Sequence, residues 1–312
     1  MDGIGVSEAF QAALTMQGHG GLSPKNQAYV LDLLFSLDKG AGFTILRNGL
    51  GTSDNTLYSR MSTIEPVSPG SPDAKPKYVW DGNSTGQVQL SLDAQKRGIE
   101  HVYLNAWSAP SFMKTSGDDI GGSLCGVMDS TCASGNWVNA YVDFLVQYVK
   151  FYEQSGVKVT ELGFLNEPEI KTTYVSMFST GRQASEVLRV LGPALKQAGL
   201  DVKLTCCDAV GWHSQQVKMG GLQGGSDPGE SHLDVITAHG YGSAPLYPLN
   251  TKRKVWQTEW SDLSQDYTPS TFFEKGLMGE GMTWASNIID SYTKGNVNGF
   301  LYWIGASAGQ QV

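Results

Sequence analysis

Strand-like and helix-like segments alternate along the whole chain, and this alternation limits the possible folds more than any other feature. Short apolar runs typical of strands lie at 3–8, 43–47, 101–106, 159–164, 202–207, 234–239, 253–258 and 298–303. Strands that alternate with helices form parallel sheets, because each helix carries the chain back across the sheet. Eight such strands predict an α/β fold of the (β/α)8 TIM-barrel type, with residues 1–312 as one domain. An open doubly wound sheet is the competitor, but no GxGxxG motif follows the first strand.

Helical patterns separate several of these strands, at 24–38, 86–98, 137–155, 181–199 and 279–294. Within 137–155 the apolar residues recur every three and four positions, so the predicted helix buries one face. Ser23 followed by Pro24 is typical of a helix start. Gly156 and Gly199 are typical of helix ends, where the backbone turns left-handed.

Two connections are unusually long. The stretch 60–80, rich in Pro, Ser and Lys, follows the second strand, and 108–136, rich in Gly and Ser, follows the third. Loops of this length are usually functional, and here they would lie at the carboxyl end of the barrel, where barrel enzymes hold their active sites. After the eighth strand only nine residues remain, so we expect the barrel to close without an eighth helix or the sequence to be cut short. The chain opens directly before a strand without a signal peptide, which suggests a trimmed start.

Composition excludes several partners. The net charge is −8 and no stripe of Lys and Arg is present, which argues against nucleic acid. No run of about 18 apolar residues occurs, so we expect no membrane span. No His, Asp, Glu or Cys cluster has the spacing of a metal site, and we expect neither a metal nor a cofactor. Eight Trp and thirteen Tyr suit a protein that stacks sugar faces on aromatic rings.

The four cysteines form two pairs along the sequence. Cys125 and Cys132 flank a short loop and can close a disulfide. Cys206 and Cys207 are adjacent, and on a strand their side chains would point to opposite faces. We therefore expect these two to be buried free thiols.

Two glutamates stand out at predicted strand ends. Glu167 lies in Asn166-Glu167-Pro168 after the fourth strand, and Glu259 lies in Thr258-Glu259-Trp260 after the seventh. They are 92 residues apart, the length of three strand–helix units, so both should reach equivalent positions across the barrel mouth. Glycoside hydrolysis uses two carboxyl groups on opposite sides of the scissile bond, one protonated and one ionised. The alternative for Asn166-Glu167-Pro168 is a turn that only ends a strand.

Other candidates surround this pair. Arg47, read as the end of the second strand, can hold the nucleophile ionised or form a salt bridge at the rim. Asn166 can donate to a sugar 2-hydroxyl. Trp107 and Trp303 follow the third and eighth strands, where they can form the floor of a sugar subsite or pack in the core.

Three further residues follow predicted strands. His239 can bind substrate or serve only the structure, and Tyr241 can orient Glu259 by a hydrogen bond. Glu8, after the first strand, faces either the cleft or an ion pair at the rim. Asp208 and Asp262 make weaker candidates.

Together these residues resemble glycoside hydrolase family 30, a family of barrels with the acid/base on strand 4 and the nucleophile on strand 7. The similar stretches, spread over nearly the whole chain, are 5–11, 46–49, 105–114, 164–169 and 257–261. By this resemblance Glu167 is the acid/base and Glu259 the nucleophile. Ser7-Glu8-Ala9-Phe10-Gln11 is most similar to the fungal xylanase branch.

The resemblance implies a retaining endo-1,4-β-xylanase or glucuronoxylanase that acts on plant cell-wall xylan. We expect a secreted, extracellular monomer, glycosylated at Asn83 if the Asn-Ser-Thr motif there is used. Family members carry a β-sandwich beside the barrel, and we expect it to be absent here, with a bare apolar wall in its place.

Several alternatives stay open. Within the same class they are a β-1,6-galactanase and a β-glucosidase-like hydrolase, and outside it a non-catalytic carbohydrate-binding barrel or a scaffold protein. The long loops decide the substrate. Four basic residues there can recognise a glucuronic acid branch or be ordinary solvated surface charges: Arg60, Lys75, Lys77 and Lys114.

Overall fold

Eight parallel strands close into a barrel in the computed structural model, which describes residues 1–19, 21–55, 59–263 and 281–306. The strands are β1 (Gly3–Ser7), β2 (Ile45–Leu50), β3 (His101–Ala106), β4 (Glu161–Gly163), β5 (Lys203–Ala209), β6 (Val235–His239), β7 (Lys254–Glu259) and β8 (Gly299–Tyr302). Each strand pairs with the next along the chain, and β8 pairs with β1. The predicted (β/α)8 TIM barrel is confirmed.

Seven α-helices lie in the described ranges. They are α1 (Ala12–Met16), α2 (Pro24–Phe35), α3 (Gln87–Gln95), α4 (Val138–Gln154), α5 (Gly181–Gln197), α6 (Trp212–Leu222) and α7 (Gly281–Thr293). The sequence predicts all but α1 and α6; residues 279 and 280 of the last predicted helix lie outside the described residues. The buried face of α6 includes Gln215 and Lys218, so its apolar period is interrupted and the pattern gives no helix signal.

The long helix α4 shows why the predicted pattern succeeds. Its apolar residues form one stripe that packs on the barrel, including Tyr141, Leu145 and Tyr148, all fully buried. Ser23 caps α2 by accepting a hydrogen bond from the backbone N–H of Asn26. Helix boundaries therefore follow local chemistry that the sequence displays.

Three of the strand boundaries that differ from prediction bear on the site. β2 runs to Leu50, so Arg47 is the third residue of that strand rather than its end. An arginine inside a strand resembles a boundary, but this one is fully buried and paired inside the barrel. β4 ends at Gly163, which places Glu167 in the following loop, and β5 continues to Ala209, so Asp208 belongs to that strand.

Both cysteine pairs are disulfides. Cys125–Cys132 closes the short loop as expected. Cys206 and Cys207 are bonded to each other, so the prediction that both are free thiols is wrong. That expectation assumed an extended trans backbone, in which neighbouring side chains diverge, whereas the peptide bond between these residues is cis.

The outer face of α2 carries an exposed apolar stripe. Tyr29, Leu33 and Leu37 are 63%, 42% and 78% exposed and are spaced four residues apart, which places them along one side of the helix and its end. The stripe lies on the outer surface of the barrel, and the expected absence of a side domain stays a prediction. Among the described helices, none combines the length and the apolar character that crossing a bilayer requires.

Candidate active site

Two nearly buried glutamates meet at the carboxyl end of the barrel. Glu259 is the last residue of β7, and Glu167 lies four residues beyond β4; they are 6% and 5% exposed. One carboxylate oxygen of each and a ring nitrogen of His239 lie within 4.8 Å of one another. The barrel brings these three side chains together although 72 to 92 residues separate Glu167 from the other two.

Glu167 is positioned by a loop rather than by the sheet ladder. Its backbone is left-handed (φ 45°), and its N–H donates to the carbonyl of Asp208 at 2.8 Å. Its Oε1 lies 3.2 Å from His239 Nδ1, and its Oε2 accepts a hydrogen bond from the Tyr174 hydroxyl. Tyr174 is a residue that the sequence patterns miss, because it lies in an irregular loop that no periodicity marks.

Arg47 joins the two sides of the site. Its Nη1 donates to Glu259 Oε2 at 2.5 Å, and its Nη2 donates to Asn166 Oδ1 and to Asp208 Oδ2, each at 2.7 Å. The guanidinium also lies over the Trp107 ring, 4.4 Å from its centroid. The structure thus favours contact with the predicted nucleophile over a salt bridge at the rim, since Arg47 is fully buried.

Asp208 is central to the site, although the sequence ranks it low. Its carboxylate accepts hydrogen bonds from Arg47 Nη2 (2.7 Å), Tyr103 Oη (2.9 Å), Asn105 Nδ2 (2.9 Å) and Thr258 Oγ1 (2.6 Å). Burial by itself would raise the pKa of Asp208, but the charges of Arg47 and His239, together with the His239 and Thr258 contacts, bring it well below its ordinary value. The prediction ended β5 at residue 207, two residues too early, so it left Asp208 outside the strand.

His239 lies between the acidic residues. Besides the Glu167 contact, its Nε2 lies 3.7 Å from Glu259 and 3.8 Å from Asp208. Burial opposes the charged imidazolium, but Glu259, Asp208 and Glu167 raise the pKa of His239 to about 10. The side chain is therefore cationic at neutral pH and faces carboxylates, so it is more than a core histidine.

The two glutamates depend on the same imidazolium. Burial raises the pKa of Glu167, but the hydrogen bond and charge of His239 and the Tyr174 hydroxyl bring it below its ordinary value. Burial raises the pKa of Glu259 above its ordinary value, and the charges of His239 and Arg47 oppose that rise. The protonation of one of these three groups therefore depends on that of the other two, and they titrate as a coupled set.

A cleft of about 430 Å³ opens over this cluster. Its walls include both glutamates and Tyr241, whose hydroxyl donates to Glu259 Oε1 at 3.2 Å. Trp107 and Trp303 also line it, with ring centroids 6.2 Å apart. Trp107 is buried in a small apolar cluster and also lines the cleft, so its role as the floor of a sugar subsite stays a prediction.

The side-chain amide of Asn166 has a hydrogen-bond donor that no described residue uses. Its Oδ1 accepts from Arg47, while its buried Nδ2 has no hydrogen-bond partner among the described residues. A buried donor without a partner is costly, so a ligand that accepts a hydrogen bond would bind favourably there.

Two other candidates differ from expectation. Glu8 is fully buried, and among the described residues it forms no ion pair; its Oε1 accepts from the backbone N–H of Ala306 at 3.0 Å. Burial raises its pKa well above the ordinary value.

Lys114 is 3% exposed and donates to backbone carbonyls, so it is neither a solvated surface charge nor free to meet a ligand. Arg60 is exposed at the edge of the cleft.

Glu167, His239 and Glu259 are also the residues closest to a metal-ligand set in the described ranges. A protonated imidazole offers no lone pair to a metal, and the Arg47 guanidinium already occupies the Glu259 carboxylate. The arrangement suits proton transfer and charge stabilisation better than metal binding.

A closed barrel with two buried carboxylates and aromatic walls at its carboxyl end is the arrangement of glycosidases built on TIM barrels. A family model described as "Glycosyl hydrolase family 30 TIM-barrel domain" matches residues 5–212. The chain belongs to glycosyl hydrolase family 30, a family of glycosidases.

Known relatives of the chain carry more than one named activity. The solved catalytic domain of GH30 xylanase C from Talaromyces cellulolyticus is 39% identical, with a TM-score of 0.91, over 98% of this chain and 68% of that chain. Endo-1,6-beta-D-glucanase BGN16.3 of Trichoderma harzianum is 23% identical over 62% of this chain, and lysosomal acid glucosylceramidase of mouse is 28% identical over 60%. The matches span 40% and 36% of these two curated relatives.

The Asp208 network predicts a large effect on stability. Replacing Asp208 by Asn keeps the shape but leaves Arg47 with one buried carboxylate fewer, which should lower the free energy of unfolding by about 3 kcal/mol. The control is Asp290→Asn, which breaks the exposed Lys294–Asp290 pair and should cost less than about 1 kcal/mol. Urea unfolding at pH 7 gives both values, and equal losses would contradict the role given to Asp208.

Glu8 predicts a pH dependence of stability. Because its pKa is raised in the folded protein, the unfolded chain releases this proton above about pH 4.3 while the folded protein keeps it, so Glu8 costs stability as pH rises. Glu8→Gln removes this term. The difference in stability between the variant and the unmodified protein should therefore shift in favour of the variant from pH 4 to pH 8. Urea midpoints at the two pH values measure this difference. The exposed Glu153→Gln serves as the control, and an equal pH dependence of both variants would exclude a buried neutral Glu8.

Proposed function

We propose that this protein is a retaining glycoside hydrolase that cleaves β-1,4-xylan by double displacement. The observation that carries the proposal is the short distance between Glu167 and Glu259, which bring one carboxylate oxygen each within 4.8 Å. Retaining enzymes separate their two carboxyl groups by about 5–5.5 Å, whereas inverting enzymes leave about 6.5–9.5 Å for a water molecule.

In the first step Glu259 attacks the anomeric carbon, and the glycosidic C–O bond breaks as Glu167 gives its proton to the departing oxygen. A glycosyl ester of Glu259 results. In the second step Glu167 takes a proton from water, the water oxygen bonds to the anomeric carbon, and Glu259 is released. Arg47 and Tyr241 hold Glu259 for in-line attack through their contacts at 2.5 and 3.2 Å.

The proton for the first step must reach Glu167, whose pKa is lowered, against the effect of burial, by His239 and Tyr174. That direction, and the raised pKa of Glu259, are the reverse of what the two roles require when the bond breaks. The Arg47 charge at Glu259 is fixed, whereas the His239 proton can move. It can cross the 3.2 Å contact from Nδ1 to Glu167 Oε1, leaving a neutral imidazole.

Xylan as the substrate is supported by the Talaromyces cellulolyticus xylanase, which aligns over 98% of this chain at 39% identity. The aromatic residues Phe10, Trp107 and Trp303 form one contact group beside the glutamates, with centroids 5.4 to 6.2 Å apart, and present apolar surface to a sugar ring. β-1,6-Glucan is the second candidate, because endo-1,6-beta-D-glucanases of Trichoderma harzianum and Neurospora crassa also match.

The proposed place of action is outside the cell, as a secreted monomer. Two disulfides among four cysteines support this, since such bonds persist in oxidising environments.

Variants of the two glutamates test the mechanism. Glu167→Ala should lower turnover of xylan by about a thousandfold, yet release a burst of nitrophenol from a nitrophenyl xylobioside, because a good leaving group departs without an acid. Azide should accelerate the slow phase after the burst. Glu259→Gln should show no burst and almost no turnover on either substrate.

Circular dichroism and thermal unfolding establish that these variants fold, and Glu153→Gln provides a control with full activity. Wild-type turnover of xylan by folded Glu259→Gln would overturn the assignment.

A comparison of substrates tests specificity. Initial rates of reducing-end release should be highest on glucuronoxylan or arabinoxylan and low on β-1,6-glucan and β-1,6-galactan. The ratio between the two xylans reports whether Arg60, exposed at the edge of the cleft, recognises an acidic branch. A higher rate on β-1,6-glucan would replace xylan by the second candidate, and binding of xylo-oligosaccharides without any hydrolysis would indicate a non-catalytic barrel.

A further inference from the structure

A buried lysine connects two of the loops above the barrel. Lys114 lies in the connection between β3 and α4, and its Nζ donates to the carbonyl of Asp119 at 2.8 Å and to that of Ser176 at 2.9 Å. Ser176 belongs to a different connection, between β4 and α5. Within the described residues no carboxylate oxygen lies within ion-pair distance of this Nζ. Burial lowers the pKa of Lys114 to about 7, and the charges of Asp119 and Asp118 only partly oppose that shift. Burying an amine on carbonyl groups alone is costly, so its contacts with both loops need an explanation other than solubility.

Backbone contacts join the same two loops. The Ser176 N–H donates to the Asp119 carbonyl at 3.1 Å, and the Gly121 N–H donates to Ser176 Oγ at 3.1 Å. Ser108 Oγ donates to the Ser176 carbonyl at 3.0 Å, the same oxygen that Lys114 contacts. Ser176 is therefore held from several sides by the connection that contains Lys114.

This junction lies two residues from Tyr174. Thr172 Oγ1 contacts both the Tyr174 carbonyl (2.8 Å) and Ser176 Oγ (2.7 Å), which joins the three residues into one turn. The Tyr174 hydroxyl in turn donates to Glu167 Oε2. A continuous path of contacts thus runs from the Lys114 ammonium to the carboxylate of Glu167.

Glu167 has a particular need for such support. Glu259 ends a paired strand, whereas Glu167 lies in a loop beyond β4 and is not part of the barrel ladder. Its side chain must stay aligned with a departing oxygen, and small displacements of a catalytic group are costly to rate.

We propose that Lys114 and Tyr174 are positioning residues that act in series: Lys114 holds the Ser176 turn against the β3–α4 connection, and Tyr174 transmits that position to Glu167. The proposal rests on the proposed acid/base role of Glu167. Neither residue reacts with the sugar. Their effect should appear in the step that needs the acid and in the protonation of Glu167.

The first test compares Tyr174→Phe with the unmodified protein. Loss of the hydroxyl should lower kcat on xylan by about tenfold, with KM changed by less than about threefold, since one hydrogen bond to a charged group is lost. The rate at which nitrophenol is first released from nitrophenyl xylobioside, a step that needs no acid, should change little. Because the hydroxyl lowers the pKa of Glu167, the alkaline limb of the kcat/KM profile should move to higher pH.

The second test is a double-mutant cycle. Lys114→Met should reproduce both the loss of kcat and the shift of the alkaline limb, and combining it with Tyr174→Phe should add little to either single variant. Lys114→Arg, which retains a donor cation, should recover part of the activity. The exposed Lys158→Met is the matched control and should leave both readouts unchanged.

Thr172→Val covers the case in which Lys114→Met does not fold, since it weakens the same turn without touching a buried charge. It should produce a smaller loss of kcat and the same direction of pH shift. Additive effects in the cycle, or a loss of activity without a pH shift in Tyr174→Phe and Thr172→Val, would overturn the proposal. If instead Glu167→Ala remains fully active, the proposed function fails.

Discussion

The buried guanidinium of Arg47 is the interaction on which the rest of the site depends. It contacts Glu259 and Asp208 directly and Asn166 through its amide oxygen, so it links β2 with β5, β7 and the loop after β4. Three carboxylates in one buried cluster would repel one another strongly without it. Together with His239 it supplies two positive charges against the three negative charges of Glu167, Asp208 and Glu259. The cluster therefore carries a net charge of −1, and in the proposed mechanism the proton that moves within it is the one on His239.

Closure of the barrel brings the residues of this cluster together. Parallel strands present their carboxyl ends at one face, so side chains far apart in sequence meet without long loops of their own. Asp208 is held by donors from Tyr103, Asn105 and Thr258, which come from two other strands. A bulge in β5 between Cys207 and Ala209 accompanies the left-handed backbone of Asp208. Irregularities of this kind are common beside active sites, where they redirect a side chain.

Several elements could be predicted because their signals are local. The apolar runs of the eight strands, the stripe on α4 and the cap at Ser23 each depend on neighbouring residues alone. The places that sequence patterns misjudged are those where a buried polar residue interrupts a period. Gln215 and Lys218 conceal α6, and Arg47 and Asp208 imitate strand ends although both lie within strands. Such residues are tolerated in the interior only when distant partners satisfy them, and no local pattern shows those partners.

By itself the sequence determined the alternation of strands and helices, the barrel, and the location of Glu167 and Glu259 near the ends of strands 4 and 7. Only the tertiary structure decided how those carboxylates are charged and held. The contacts responsible join residues far apart in the chain: 212 positions separate Arg47 from Glu259, and 161 separate it from Asp208. The contacts that join Lys114 through Ser176 and Tyr174 to Glu167 are likewise not marked by any pattern in the sequence. Electrostatic and hydrogen-bond energies depend on distances in space, and closure of the barrel is what sets those distances.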